Sequence, residues 1–191
     1  MACERRRNLI FITSDTHFGD ESIRRYENRP FSSVQEMDEE LIRRWNEKVS
    51  EDDVVWHLGD FCALGKEEEY LKRLHGKVIL VRGNHDELSN EEYRRAGFYE
   101  VYDLPVLYEG FWILSHEPLY VNENMPYANL FGHVHGSKQY VNFSSQHYVV
   151  CVERSGYAPI AFEDVKKAIV AQTKECYNEA IKDNAKRMEM E

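Results

Sequence analysis

The chain has 191 residues, 42% of them hydrophobic and 30% charged, with a formal net charge of −10 at pH 7. That length suits a single domain over residues 1–191 with a substantial core, and no apolar run approaches the roughly 20 residues that span a bilayer. The acidic balance disfavours a long polyanion as main partner, because phosphate backbones reward Lys and Arg.

The start, MACERRRNLIFITSD, is basic, but its apolar stretch falls short of the about 7–15 residues of a secretory segment. The reading is therefore a cytoplasmic protein with no membrane partner. Cys3, Cys62, Cys151 and Cys176 show no paired spacing, so free thiols are expected.

Five short blocks rich in metal-donor side chains each follow a run that reads as a strand. LIFITS precedes Asp15-Thr-His17, and VVWHL precedes Gly59-Asp60. VILVR precedes Gly83-Asn84-His85-Asp86, FWILS precedes His116, and NLF precedes Gly132-His133-Val-His135. Strand ends in α/β sheets are where ligands usually bind.

Between the first two blocks, Ser33 and Glu36 make a capping box for a helix to about Val49, with a stripe of Met37, Leu41, Ile42 and Trp45. A second helix is expected over about 66–75, closed by Gly76, and Ser89 with Glu92 would cap a third. From about Val101 the pattern changes to short strands, VYDLPVLY, FWILS and HYVVCVE, with a hairpin at Glu109-Gly110. Residues 163–191 read as a charged helix with Val165, Ile169 and Tyr177 at apolar positions and fraying last turns. It could pack on its own sheet or on a second copy; the oligomeric state is left open.

Phosphoester hydrolysis needs a nucleophile at neutral pH and charge neutralisation on the phosphoryl oxygens. Two divalent ions about 3.5–4 Å apart supply both through a bridging water. Mixed imidazole and oxygen donors suit Mn, Fe, Zn or Ni better than Ca or Mg, with Mn the first expectation. Asp60, isolated after Gly59, is the natural bridging carboxylate.

Taken together, the ordered blocks resemble the signature of the calcineurin-like metallophosphoesterases, in particular the small bacterial and phage-type group. The resemblance implies a four-layer α/β/β/α sandwich of two mixed sheets. It implies Asp15, His17, Asp60 and His135 around one metal and Asp60, Asn84, His116 and His133 around the other. His85 would face the scissile phosphate as general acid for attack by the metal-bridging hydroxide, with Asp86 counted beside it as a second catalytic residue that also steadies the loop. Gly59, Gly83 and Gly132 would permit turns that aim the adjacent ligands. Ala63 stands where the Ser/Thr protein phosphatases carry an Asp, and Asp86 where they carry Glu, which counts against that branch.

The 18–41 segment carries Arg24, Arg25 and Arg29, any of which would suit bidentate grip of a phosphate oxygen; the plain alternative is a solvated loop. His57, His75 and His147 read as structural, and Cys62 as a small buried hydrophobe rather than a third ligand. Tyr127 and Asn129 are candidates to line the pocket. The functional expectation is a phosphodiesterase acting on a small phosphoester such as a nucleotide. A phosphomonoesterase is the alternative, a nuclease is less favoured, and a non-catalytic scaffold would need neither the ligand set nor His85.

Overall fold

The computed structural model describes residues 8–140 and 144–188. Cys3, the side chain of Tyr177 and residues 189–191 lie outside the description. The apolar runs form strands buried on both faces, which is why they read as continuous rather than alternating. In the first sheet, β1 (Ile10–Thr13), β2 (Val54–His57), β3 (Lys77–Val81) and β4 (Glu100–Tyr102) run parallel. The short β9 (Ile160–Ala161) pairs antiparallel with β1, giving the order β4-β3-β2-β1-β9.

The second sheet is ordered β5-β6-β7-β8, with β5 at Val106–Tyr108, β6 at Trp112–Ser115, β7 at Ala128–Phe131 and β8 at His147–Val149. Its last three strands are parallel and β5 is antiparallel to β6, so both sheets are mixed. VYDLPVLY is not one strand. It breaks at Asp103-Leu104-Pro105, and the chain passes there from the first sheet to the second. The expected hairpin is present: Glu109 and Gly110 have φ of 51° and 70°, and Phe111 N donates to Tyr108 O at 3.3 Å. Two successive positive φ values match the twist of the flanking strands.

The period of two along each strand sorts its residues between two cores. Phe11, Val55, Val78 and Leu80 face the helices α2 (Val34–Lys48), α3 (Glu67–Leu71) and α4 (Asn90–Ala96), meeting Met37, Leu41, Trp45, Tyr70 and Tyr93. Ile12, Trp56, Ile79 and Val81 face the other sheet and meet Trp112, Leu114 and Leu130. This inter-sheet core also takes Phe162, Val165 and Ile169 from α5 (Phe162–Met188), which packs on β1, β9 and β8. The layered α/β class is thus two face-to-face mixed sheets with helices against them. Among the described residues, no helix is long and apolar enough to cross a membrane.

Local signals place the helices with small differences. Ser33 caps α2 by accepting from Glu36 N at 3.1 Å, but the Glu36 side chain turns to the hydroxyl and N–H of Ser32 instead of closing the box on Ser33. At α4 the capping box of Ser89 and Glu92 is complete. A short helix not anticipated, α1 (Glu21–Tyr26), starts at Asp20, whose side chain accepts from Ser22 N and Ile23 N. Cys62 and Cys151 are free and buried, and Cys176 is free and exposed.

The inter-sheet core sets the separation of the two sheets and hence of the ligands on them. Leu114→Ala, at a side chain with no exposure, is expected to cost about 2–5 kcal/mol. Leu107→Ala, on an exposed side chain, should stay within about 0.5 kcal/mol of the parent. Urea unfolding of both variants checks the contrast, and equal midpoints would contradict it.

Candidate metal centre

All five donor blocks lie at the C-terminal ends of strands: Asp15 after β1, Asp60 after β2, Asn84 after β3, His116 after β6 and His133 after β7. Because β1–β4 are parallel in one sheet and β6–β8 in the other, these ends meet along one edge of the sandwich. The backbone is bent sharply there. Asp15, His17, Asp60, His133 and His135 all have positive φ, between 47° and 65°. That left-handed region is uncommon for residues with a side chain and clusters at functional sites.

Asp60 occupies the centre. Its Oδ2 lies 3.4 Å from His17 Nε2 and 3.4 Å from His116 Nε2, while its Oδ1 accepts from His85 N at 2.9 Å. On one side, His135 Nε2 lies 3.6 Å from Asp15 Oδ1, and the His17 and His135 rings stack at 5.3 Å. On the other, Asn84 Oδ1 lies 2.9 Å from His116 Nε2 and 3.0 Å from His133 Nδ1. The sequence-derived ligand set is therefore brought together as two groups flanking one carboxylate. The exposed His85 stands beside them with its ring edge-on to His17 at 5.4 Å.

The donors fit divalent ions. Asp15, His17 and His135 have ligand atoms within 4.8 Å of one another, as do Asp15, Asp60 and His116. Donors at about 2.0–2.2 Å from a common ion stand at separations of this order. His17 Nε2 is buried without a hydrogen-bond partner, although it points at Asp60. An imidazole nitrogen without a hydrogen-bond partner, facing a buried carboxylate, suits a cation held between them.

Electrostatics agree. Burial alone would raise the Asp60 carboxyl, but the adjacent His116 and His17 imidazoles hold it far below the usual range. Burial would lower His116, yet the Asp60 carboxylate raises it to about 9. A metal binding there must displace that proton.

Supporting groups orient the ligands. His116 Nδ1 faces Leu58 O at 2.8 Å, which leaves Nε2 for the site. His135 Nδ1 faces Glu153 Oε1 at 3.1 Å, a carboxylate behind a candidate ligand. Burial opposes ionisation of Glu153, but His135 and then Arg29 hold its carboxyl below the usual range.

The expectation that Arg24, Arg25 or Arg29 grips substrate is not supported by their placement. The guanidinium of Arg29 is buried; it donates to Glu153 Oε1 at 2.6 Å, Asp15 O at 2.6 Å and Thr16 O at 2.8 Å. Those bonds tie the strained Asp15–His17 turn to the base of His135. Arg24 donates to Glu21 at 2.9 Å and Phe31 O at 2.7 Å, and the exposed Arg25 pairs with Glu21 at 2.9 Å. The cavity over the ligands, walled by His17, His85, His135, Asp20, Ser22, Ile23 and Tyr26, includes none of the three arginines.

Asp86 also needs correction as a catalytic group. Its carboxylate accepts backbone N–H bonds from Asp60 at 2.8 Å, Phe61 at 3.1 Å and Gly83 at 2.8 Å. It is a positioning residue that ties the Asp60 loop to the Asn84 loop. Asn129 does not line the pocket: its amide donates to Ser115 Oγ and Ile113 O and accepts from Leu119 N. Tyr127 does not wall the cavity over the ligands either; its carbonyl accepts from Gln146 Nε2 at 2.6 Å. His57 is fully buried and faces Thr16 Oγ1 at 2.9 Å, and burial pushes it down to about 3. Burial raises the Cys62 thiol well above its ordinary value, as for an inert core cysteine.

The glycines serve closeness more than turning. A Cβ on Gly83 would lie 2.2 Å from Asp60 Oδ1, and one on Gly132 would lie 2.4 Å from Asp15 Oδ2. Neither has a positive φ. Of the three expected to turn the chain, only Gly59, at φ 90°, combines the turn with a close approach, 2.5 Å to His116 Nδ1.

Glu153 is the supporting residue that sequence reasoning missed. The available signal was its position two residues beyond the strand-like run HYVVC, where the other donor blocks also stand.

A mixed nitrogen and oxygen donor set with a shared carboxylate, on the strand ends of two facing sheets, defines a metal-dependent hydrolase site. The model for calcineurin-like phosphoesterases matches residues 9–175, and the chain belongs to that family. It is 32% identical over 170 residues to an uncharacterized protein of Methanocaldococcus jannaschii, covering 84% of this chain and 90% of that one. A gene 66 protein of a Mycobacterium phage is 33% identical over 82 residues, 40% of each chain. A crystal structure of a protein of unknown function from Aquifex aeolicus shares the fold, with a TM-score of 0.65 and 24% identity over 84% of this chain and 99% of that one. Family and donor clusters together support a metal-dependent phosphoesterase.

Gly83→Ala should push the Asp60 carboxylate aside and lower the bound metal, read by metal analysis after dialysis against Mn²⁺. Metal content equal to the parent's in a folded variant would sink this account. Arg29→Ala leaves Glu153 buried without its cation and should cost about 3–5 kcal/mol. Thermal unfolding close to the parent's would show the clamp to be unimportant.

Proposed function

We propose that the chain is a dinuclear-metal phosphodiesterase. Asp15, His17, Asp60 and His135 would hold one ion and Asp60, Asn84, His116 and His133 the other. The observation that carries this is the single Asp60 oxygen equidistant from His17 and His116, one imidazole from each group. Bound divalent ions supply a nucleophile at neutral pH and neutralise phosphoryl charge.

The remaining work falls to this chain's own groups. As the new P–O bond forms and the ester P–O bond breaks, the His85 imidazole gives its proton to the leaving oxygen as general acid. The bond from His85 N to Asp60 Oδ1 keeps this residue in register with the bridging carboxylate. Asp86 holds the two loops together from behind.

Charge favours a diester over a monoester. The cavity wall over the ligands includes Asp20 and neither Lys nor Arg. A monoester dianion would rely on the ions alone for its second charge, whereas a diester carries a single charge and brings a second organic arm. The apolar Ile23 and Tyr26 suit such an arm.

The test is turnover of bis-p-nitrophenyl phosphate against p-nitrophenyl phosphate. EDTA should abolish cleavage of the diester, and Mn²⁺ should restore it best. His85→Ala should lower kcat by about 10²–10⁴-fold while both ions still bind. Preference for the monoester would replace this reading with a phosphomonoesterase. Full activity without His85 would remove its role as acid.

A further inference from the structure

The hollow above the ligands has a neighbour. The first, about 370 Å³, is bounded by His17, His85, Ile23 and Tyr26. The second, about 440 Å³, is bounded by His133, Val134 and Tyr140, with Glu27, Ser137 and Gln139 on its polar side. Tyr26 and His135 line both. One candidate ligand and one aromatic ring therefore separate two hollows that open from the same reactive centre. Tyr26, the last residue of α1, is 81% exposed. Its ring gains little from burial and offers a flat apolar face beside the place a phosphate would take.

The charges in these hollows limit what can lie there. Asp20 belongs to the first and Glu27 to the second, and neither wall includes Lys or Arg. A nucleic-acid strand would bring flanking phosphates into both hollows, where they would meet carboxylates rather than counter-charge. A cyclic diester has both ester oxygens on one sugar and would fill only one hollow. A diester with one phosphate and two separate arms places an arm in each.

Building on the diesterase reading, we infer that the substrate is a short nucleoside phosphodiester of this two-armed kind. The leaving arm occupies the first hollow beside His85. The retained nucleoside occupies the second, its base stacked on Tyr26 and its sugar hydroxyls facing Ser137 and Gln139. Stacking on an aromatic side chain is sequence-tolerant, since every base has a π-face. The site would accept a class of nucleosides rather than one.

The test compares two diesters with the same leaving group, thymidine 5′-p-nitrophenyl phosphate and methyl p-nitrophenyl phosphate, on the Mn²⁺-loaded full chain. The nucleoside diester should be preferred in kcat/KM by about 10-fold or more, mainly through KM. Tyr26→Ala should erase most of that ratio, and Tyr26→Phe should keep it. Independently of turnover, a dinucleoside phosphorothioate containing 2-aminopurine should lose fluorescence on binding the parent protein and not the Tyr26→Ala variant. Equal ratios in parent and Tyr26→Ala, or better turnover of an oligothymidylate strand or a cyclic nucleotide, would overturn the inference while leaving a diesterase. Absence of metal-dependent turnover of both aryl diesters would overturn the diesterase reading and this inference with it.

Discussion

A buried carboxylate shared between two imidazole groups is the constraint around which this chain is built. Asp60 lies on the first sheet and His116 on the second, so the contact between them spans the sandwich. Burying a carboxylate costs several kcal/mol unless charge and hydrogen bonds compensate it. Here the compensation comes from the His17 and His116 imidazoles and from the backbone N–H of His85, on a turn that Asp86 holds in place. The inter-sheet core of Ile12, Trp56, Leu114 and Leu130 fixes the distance over which that compensation has to work.

The same constraint accounts for the strained backbone. Five candidate ligands adopt positive φ, at a cost of order 1–3 kcal/mol each where the surroundings do not relieve it. The turn at Asp15 and His17 is held by the buried guanidinium of Arg29, which also grips the Glu153 carboxylate behind His135. One cation thus braces the backbone beneath one ligand and the side chain of another. The glycines at 83 and 132 complete the arrangement by omission: any side chain there would occupy the space of the Asp60 or Asp15 oxygens.

Around this rigid centre the surroundings differ in character. Asp20, Ser22, Ile23 and Tyr26 come from one short helix and its cap, and they carry few bonds to the sandwich. On the proposed reading, this segment would contribute to substrate selectivity for a physical reason. The ligands are over-determined by packing and hydrogen bonds, while the α1 face is free to differ without disturbing them.

Much of the site was legible in the chain itself. Donor residues stood at the ends of apolar runs, and strand ends are where such residues converge; the helix starts at Ser33 and Ser89 followed from local capping chemistry. These features depend on neighbours in sequence. What could not be read there depends on partners far apart. Arg29 and Glu153 are 124 positions apart, so nothing local distinguishes a buried brace from a substrate-gripping arginine on a loop. Asp86 looked catalytic because it follows His85, yet its carboxylate faces the neighbouring turn. Gly83 and Gly132 looked like turns and proved to be points of close approach. Sequence by itself determined the donor types, their order and the strands that carry them, because period, propensity and capping act over a few residues. Tertiary structure alone decided which charges are buried, which ligand each brace supports and where the open hollows lie, because those depend on the packing of two sheets whose residues meet only once folded.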